Sequence, residues 1–441
     1  LAPGNDPNEF FVGGHFTSVG NGVPARNIAV YRDSTGWSSL DAGVVNEIGV
    51  TGGGVTGVYD MVDDNGKVFT GGFFSRAGSQ FTINFARWDD TIDPGAWERL
   101  LDPSREYLGV PGVVNDLTTG PNGAVYAAGD FSFAGTSSAA DVAKLQGDAW
   151  HAIGSQPEIG GLSAVAVDAQ GTVYIGGRFD SLGPNSAANI AYFDGAVWQP
   201  LGFGLSAPPS SLEFGPNGNL YVGGDFEMAG GQNAGYVAMW NGSSWQTLGS
   251  GLGNNVNAIA VDSSGTLYAG GLFTETGSGT TVNRIAMWDG SSWQPLGAGI
   301  DDGYVSAMAF YQGDLIVVGA FDAAGGGTTV NGVAKWDGSS WSGFNQGFSS
   351  GFGSAIVSSV ATKANGFFVG GTFSEKDGTT FNHIAWWDGS QWYPLADGLQ
   401  DLPEDLLVHE YSLYAGGPFT NAGSTASYGV GIWNYAPTSS N

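Results

Sequence analysis

Short apolar stretches follow one another along nearly the whole chain, each closed by a cluster of Gly, Asp, Asn or Ser. The clearest set runs from Val256 to Leu296, where Val256–Val261, Thr266–Phe273, Arg284–Trp288 and Ser292–Leu296 are each rich in β-branched or aromatic residues. Runs of this length bounded by turn residues, without a helical period, predict four strands. Asp262-Ser-Ser-Gly265 joins the first two strands and Asp289-Gly-Ser-Ser292 the last two in tight hairpins, with Gly at the position that needs positive φ.

The set recurs, and recurrence takes precedence over local propensity. A Gly-Gly-x-Phe element ends the second strand of each copy, its Phe falling at Phe16, Phe74, Phe131, Phe179, Phe226, Phe273, Phe321, Phe373 and Phe419. Ala128 and Val318 replace the first Gly in two copies. A Trp marks most third strands (Trp88, Trp240, Trp288, Trp336, Trp387, Trp433) and most fourth strands (Trp37, Trp97, Trp150, Trp198, Trp245, Trp293, Trp341, Trp392). The strict period assigns these aromatics to the core between neighbouring sheets rather than to a sugar-binding ladder. An all-β, nine-bladed propeller of four-stranded antiparallel blades is expected, one domain over residues 1–441. Its first and last blades are incomplete: Leu1–Gly4 is only a stump of a first strand, and nothing after Trp433 repeats the Ser-x-Trp element. Residues 435–441 read as a tail or linker.

Tyr268-Ala-Gly-Gly-Leu-Phe273 followed by Met287-Trp-Asp-Gly-Ser-Ser-Trp293 resembles the kelch repeat, and is similar to repeats of secreted or surface proteins of bacteria. The resemblance covers essentially the whole chain. It implies a propeller used as an interaction scaffold and an extracellular setting, while saying little about a particular ligand. The start at Leu1 is compatible with removal of a signal peptide.

Charge narrows the partners. Lys and Arg number 13 against 41 Asp and Glu, for a net charge of −28, so no basic surface is available for nucleic acid or an anionic membrane. Proteins, including further copies of the chain in a homo-oligomer or filament, and glycans are the expected partners. With no Cys, thiolate metal sites and the Cys–Tyr centre of kelch-type copper oxidases are excluded. The four His (His15, His151, His383, His409) show no metal-ligand spacing. The Asp-Gly-Ser-Ser-Trp turn is similar to the Asp-box of sialidases but one residue shorter. A secreted, non-catalytic structural or adhesive module is the leading expectation, able to self-assemble through unpaired terminal strands. A glycan- or protein-binding module comes second. Third is a carbohydrate-active enzyme with two carboxylates, or an Asp–His pair, converging in the channel or a cleft.

The loops opposite the tight hairpins vary most and are the expected binding face. Their polar residues are Asp397, Asp401, Glu404 and Asp405, with Asp301, Asp302, Arg105 and Tyr107. Asp401, Glu404 and Asp405 are candidates to ligate Ca²⁺, which favours clustered carboxylates, although they lack the alternating pattern of an EF-hand loop.

Overall fold

The computed structural model describes the strand backbones of the whole chain and the side chains of residues 112–433. Excepted are 122, 135–137, 140, 147–149, 155–160, 183–185, 345–347, 349–354, 375–378, 410–411, 420–421, 423–426 and 428–429. The chain divides into two compact units, Leu1–Tyr107 and Leu108–Asn441. The first holds two four-stranded antiparallel sheets. Ala2–Pro3, Glu9–Gly13, Ile28–Arg32 and Gly36–Ser39 make one; Gly57–Asp64, Lys67–Phe73, Phe85–Asp89 and Ala96–Glu98 make the other.

The second unit is a propeller of seven blades. Their first, innermost strands are Gly112–Thr119, Leu162–Val167, Pro209–Phe214, Val256–Val261, Tyr304–Tyr311, Val357–Lys363 and Asp405–His409. Blade four shows the pattern: Val256–Val261, Leu267–Gly271, Ile285–Trp288 and Trp293–Pro295 pair in sequence order, all antiparallel. Its hairpins form as the sequence predicts. The Asp289 carboxylate accepts the amides of Ser291 and Ser292, both at 2.8 Å, while Gly290 takes φ +94°. The Ser291 hydroxyl, which donates to the same carboxylate at 2.7 Å, and these two amides hold the Asp289 carboxyl well below the usual carboxylate range.

The core lies between blades. Leu201 and Leu205, on the link leaving blade two, pack with Leu220, Phe226 and Trp245 of blade three. Every Gly-Gly-x-Phe phenylalanine from Phe131 to Phe419 is buried, each contributing roughly 2–3 kcal/mol of transfer free energy. The fourth-strand indoles add a directional tie. Trp245, Trp293 and Trp341 donate from Nε1 to the carbonyls of Leu201, Leu248 and Leu296 in the preceding link, at 2.8, 3.0 and 2.8 Å.

The Gly-Gly element sets the distance between sheets. A Cβ on Gly223 would stand 2.5 Å from Val256 Cγ1, the first residue of the next inner strand, and one on Gly270 would stand 2.5 Å from Val305 Cγ1. The same fit closes the ring, since a Cβ on Gly416 of blade seven would stand 2.5 Å from Val114 Cγ1 of blade one. Leu407, Tyr414, Val430 and Ile432 of blade seven accordingly share one apolar cluster with Val114 and Leu117.

This closure corrects the expected nine-bladed ring. Nine copies of the repeat form sheets, but blade seven meets the sheet that begins at Gly112, so the ring holds seven blades. It does not close between the first and last copies. The stump expected at Leu1–Gly4 is the short strand Ala2–Pro3, paired with Phe10 and Phe11. At the other end, the last sheet has three strands among the described residues: Asp405–His409, Ser412–Gly416 and Val430–Asn434.

Candidate functional site

The face opposite the tight hairpins is built from two kinds of segment. One is the connection between second and third strands, which folds into a two-residue hairpin, as in Met228–Ala229 with Gln232–Asn233 or Ala323–Ala324 with Thr328–Thr329. The other is the link between blades, which bridges to the hairpin of the following blade at Leu205 with Ala229, Leu252 with Thr276, Ile300 with Ala324 and Leu399 with Ala422. At these four boundaries loops of variable length are thereby tied to the next blade, a support for the side chains that project from them.

The acidic residues expected on this face fall into separate places. Asp301 and Asp302 lie in the link from blade four to blade five, where Asp301 accepts the amides of Gly326 (2.9 Å) and Gly327 (2.6 Å), and Asp302 accepts that of Asp322 (2.9 Å). Both carboxylates serve the rim's own backbone. Asp397, Asp401 and Glu404 lie in the link from blade six to blade seven. Asp401 accepts the amide of Leu402 at 2.8 Å, and burial, with Asp401 nearby, pushes the Glu404 carboxyl up. Asp405 belongs to the inner strand and turns toward blade one. No group of three or more His, Asp or Glu is arranged to hold a metal ion among the described residues. Of the candidate Ca²⁺ ligands, Asp401 and Glu404 are close enough for the charge of one to act on the other, while Asp405 bonds the Leu117 amide of blade one. Arg105 and Tyr107 lie outside the described residues.

Among the described residues the rim also projects large apolar side chains. Phe203 is 86% exposed, Met228 45% and Leu272 43%. Phe203 sits in the turn Leu201-Gly202-Phe203-Gly204, where the matching turns carry Ser250, Ala298 and Asp397. Gly230 donates to the Gly204 carbonyl at 2.8 Å and Ser206 donates to the Met228 carbonyl at 3.0 Å, which ties the Phe203 turn to the Met228 hairpin. A short chain of contacts extends the patch: Asn255 donates to Asp225 at 2.6 Å and accepts at its carbonyl from the Leu272 amide at 3.0 Å. The signal was present in the sequence as one Phe among small and polar turn residues.

A second cluster lines the inner ring. Asp116 and Asp405 occupy the same position of the first strand in blades one and seven, where blades two, four and five carry Ala164, Ala258 and Ala307. Asp116 accepts the Val165 amide of blade two at 2.6 Å, and Asp405 accepts the Leu117 amide of blade one at 2.8 Å. The Leu117 amide also donates to Asp116 Oδ1 at 3.1 Å, so the two side chains share one donor. Burial is the main cause that pushes both carboxyls up, Asp405 to about 7, with the facing Asp405 charge second for Asp116. Glu213, though exposed at its surface, adds to the upward push on Asp116 and is itself pushed up to about 7 by the protein packed around it. The Asp116–Asp405 contact is a fastening between blades.

No family model matches the chain, and no curated protein matches it. Solved structures do. The computationally designed protein Ika8 aligns at 17% identity and TM-score 0.46, covering 86% of this chain and 96% of its own. YCF48 bound to D1 peptide aligns at 11% identity and TM-score 0.47, covering 76% and 96%. A chain of the mitotic checkpoint complex aligns at 14% identity and TM-score 0.46, covering 77% and 95%. At these values the propeller assignment rests on the blades described above.

Proposed function

We propose that the seven-bladed ring is a non-catalytic, kelch-like binding module that works outside the cell and captures a protein partner on its rim. The observation that carries this reading is the apolar patch of Phe203 and Met228 on a hydrogen-bonded support. Exposed aromatic and Met side chains held by a rigid scaffold are typical anchors of protein interfaces. The scarcity of Lys on an acidic chain also suits an adhesive or structural role in which nucleic acid and anionic membranes are avoided.

Selection of peptides from a displayed library against the full chain tests it. Selected peptides are expected to lose at least tenfold in affinity on Phe203→Ser/Met228→Ser, with the unfolding midpoint unchanged. Failure to select any peptide, or binding indifferent to both substitutions, contradicts the reading.

One observation favours self-assembly as a second mode. The seventh blade presents three strands among the described residues, and an open sheet edge accepts a strand from another chain. Sedimentation over a wide concentration range is expected to show growing species; a single monomeric species throughout rejects this mode.

A further inference from the structure

Blades one and two part on the side of the tight hairpins to leave a cavity of about 530 Å³, lined by Tyr126, Lys144, His151, Gln170, Thr172 and Phe193 among others. That is within the roughly 300–1,000 Å³ of small-molecule sites. In blades three, four and five a third-strand Trp covers the glycine of the preceding link: Trp240 lies over Gly202, Trp288 over Gly249 and Trp336 over Gly297. Blade two has the smaller Phe193 at this position, over Gly154 of blade one.

Lys144 and His151 are direct cross-strand partners, so both side chains leave the same face of blade one, into the cavity. Blade five carries a lysine at the matching place, Lys335, which is neutralised by Asp314 at 2.8 Å. The residue matching Asp314 in blade one is Ala124, and neither Lys144 nor His151 has a hydrogen-bond or ion-pair partner among the described residues. Asp194, also at the cavity, spends its carboxylate on its own hairpin, accepting from Ala196 and Val197 amides and from Gln199 Nε2 at 2.8 to 2.9 Å. A lysine without its acid is conspicuous in a chain with 41 Asp and Glu to 13 Lys and Arg.

We propose that this cavity binds an acidic sugar, a uronate, whose carboxylate meets Lys144 and His151. Phe193 and Tyr126 face the apolar side of the ring, and Gln170 and Thr172 meet its hydroxyls. The site lies on the opposite side of the ring from the Phe203 rim and does not depend on it.

Isothermal titration of the full chain with digalacturonate tests the assignment, with neutral digalactose and inorganic phosphate as the other arms. Digalacturonate is expected to bind and to weaken with added salt; digalactose is expected to bind at least tenfold more weakly, and phosphate not to compete. Lys144→Met is expected to weaken digalacturonate at least tenfold, Ala124→Asp to do the same by restoring the acid that Lys335 has, and Lys335→Met to leave binding unchanged. Absence of digalacturonate binding, equal binding of the neutral sugar, competition by phosphate, or full affinity in Lys144→Met each overturns the proposal.

Discussion

Leu117 in the first blade donates its amide to Asp405 in the seventh at 2.8 Å, as Val165 in the second donates to Asp116 in the first at 2.6 Å. The contact that closes the ring is therefore the contact that joins two ordinary neighbours, made across 288 residues of sequence. It places two half-buried carboxyls side by side, and the cost of ionising them sets how the ring responds to pH.

Asp116, Asp405 and Glu213 all have folded-state carboxyls raised above their ordinary values, Asp405 and Glu213 to about 7. The folded state then holds more protons than the unfolded chain between about pH 4 and pH 7, so stability falls as pH rises through that window. Below it the sign reverses, because Asp289 and Asp337 are held low by their hairpin bonds and lose that stabilisation on protonation. Thermal denaturation across pH is expected to show a maximum near pH 4–5 and a loss on the order of 1–3 kcal/mol by pH 8. Asp405→Asn, which keeps an acceptor for Leu117, is expected to flatten the upper limb. An unchanged slope in that variant removes the carboxyl pair as its cause.

Gly270 faces Val305 across the blade boundary with no room for a methyl group. Gly270→Ala is expected to destabilise the ring by about 1–3 kcal/mol in urea denaturation, as overpacking does. Adding Val305→Ala is expected to restore part of the loss, since the two changes share one contact. Additive losses would mean that the close approach is not what requires glycine there.

Trp293 is buried and ties its blade to the preceding link through the Leu248 carbonyl. Trp293→Phe retains most of the apolar surface and leaves that carbonyl without its donor, an expected cost of about 1–3 kcal/mol. Equilibrium unfolding measures it. A loss well under 0.5 kcal/mol would show that water replaces the indole.

Strands and hairpins were readable because their causes are local. Val256–Val261 is a strand with the predicted bounds, and Asp262 caps its hairpin by accepting the amides of Ser264 and Thr266, both at 2.9 Å. The burial of Phe179, Phe226 and Phe273 followed from their period. The blade count was not readable in this way. All nine copies have similar strands, and which two meet depends on the angle accumulated around the ring and on the fit of Gly416 to Val114.

The site residues divide on the same line. Carboxylates in polar loops drew notice, yet Asp301 and Asp302 are occupied by rim amides. Asp116 and Glu213 lay inside apolar strands, where an acid in place of the Ala of other repeats was the available signal. Lys144 stands out only beside Lys335, whose acid partner blade one lacks.

The closure can be tested by covalent capture, since the chain contains no cysteine of its own. A Cβ on Gly416 would lie 3.1 Å from Val114 Cβ, a few tenths of an ångström short of the roughly 3.5–4.5 Å of a disulfide, a gap that a small shift of the backbone supplies. Val114→Cys/Gly416→Cys in the full chain is expected to form an intramolecular disulfide under mild oxidation, visible as a mobility shift lost on reduction. In a nine-bladed ring Val114 would face the preceding sheet near Gly71, and Gly416 would face the N-terminal strand. Absence of the 114–416 disulfide, together with its appearance in the corresponding Gly71→Cys/Val114→Cys pair, would contradict the seven-bladed ring.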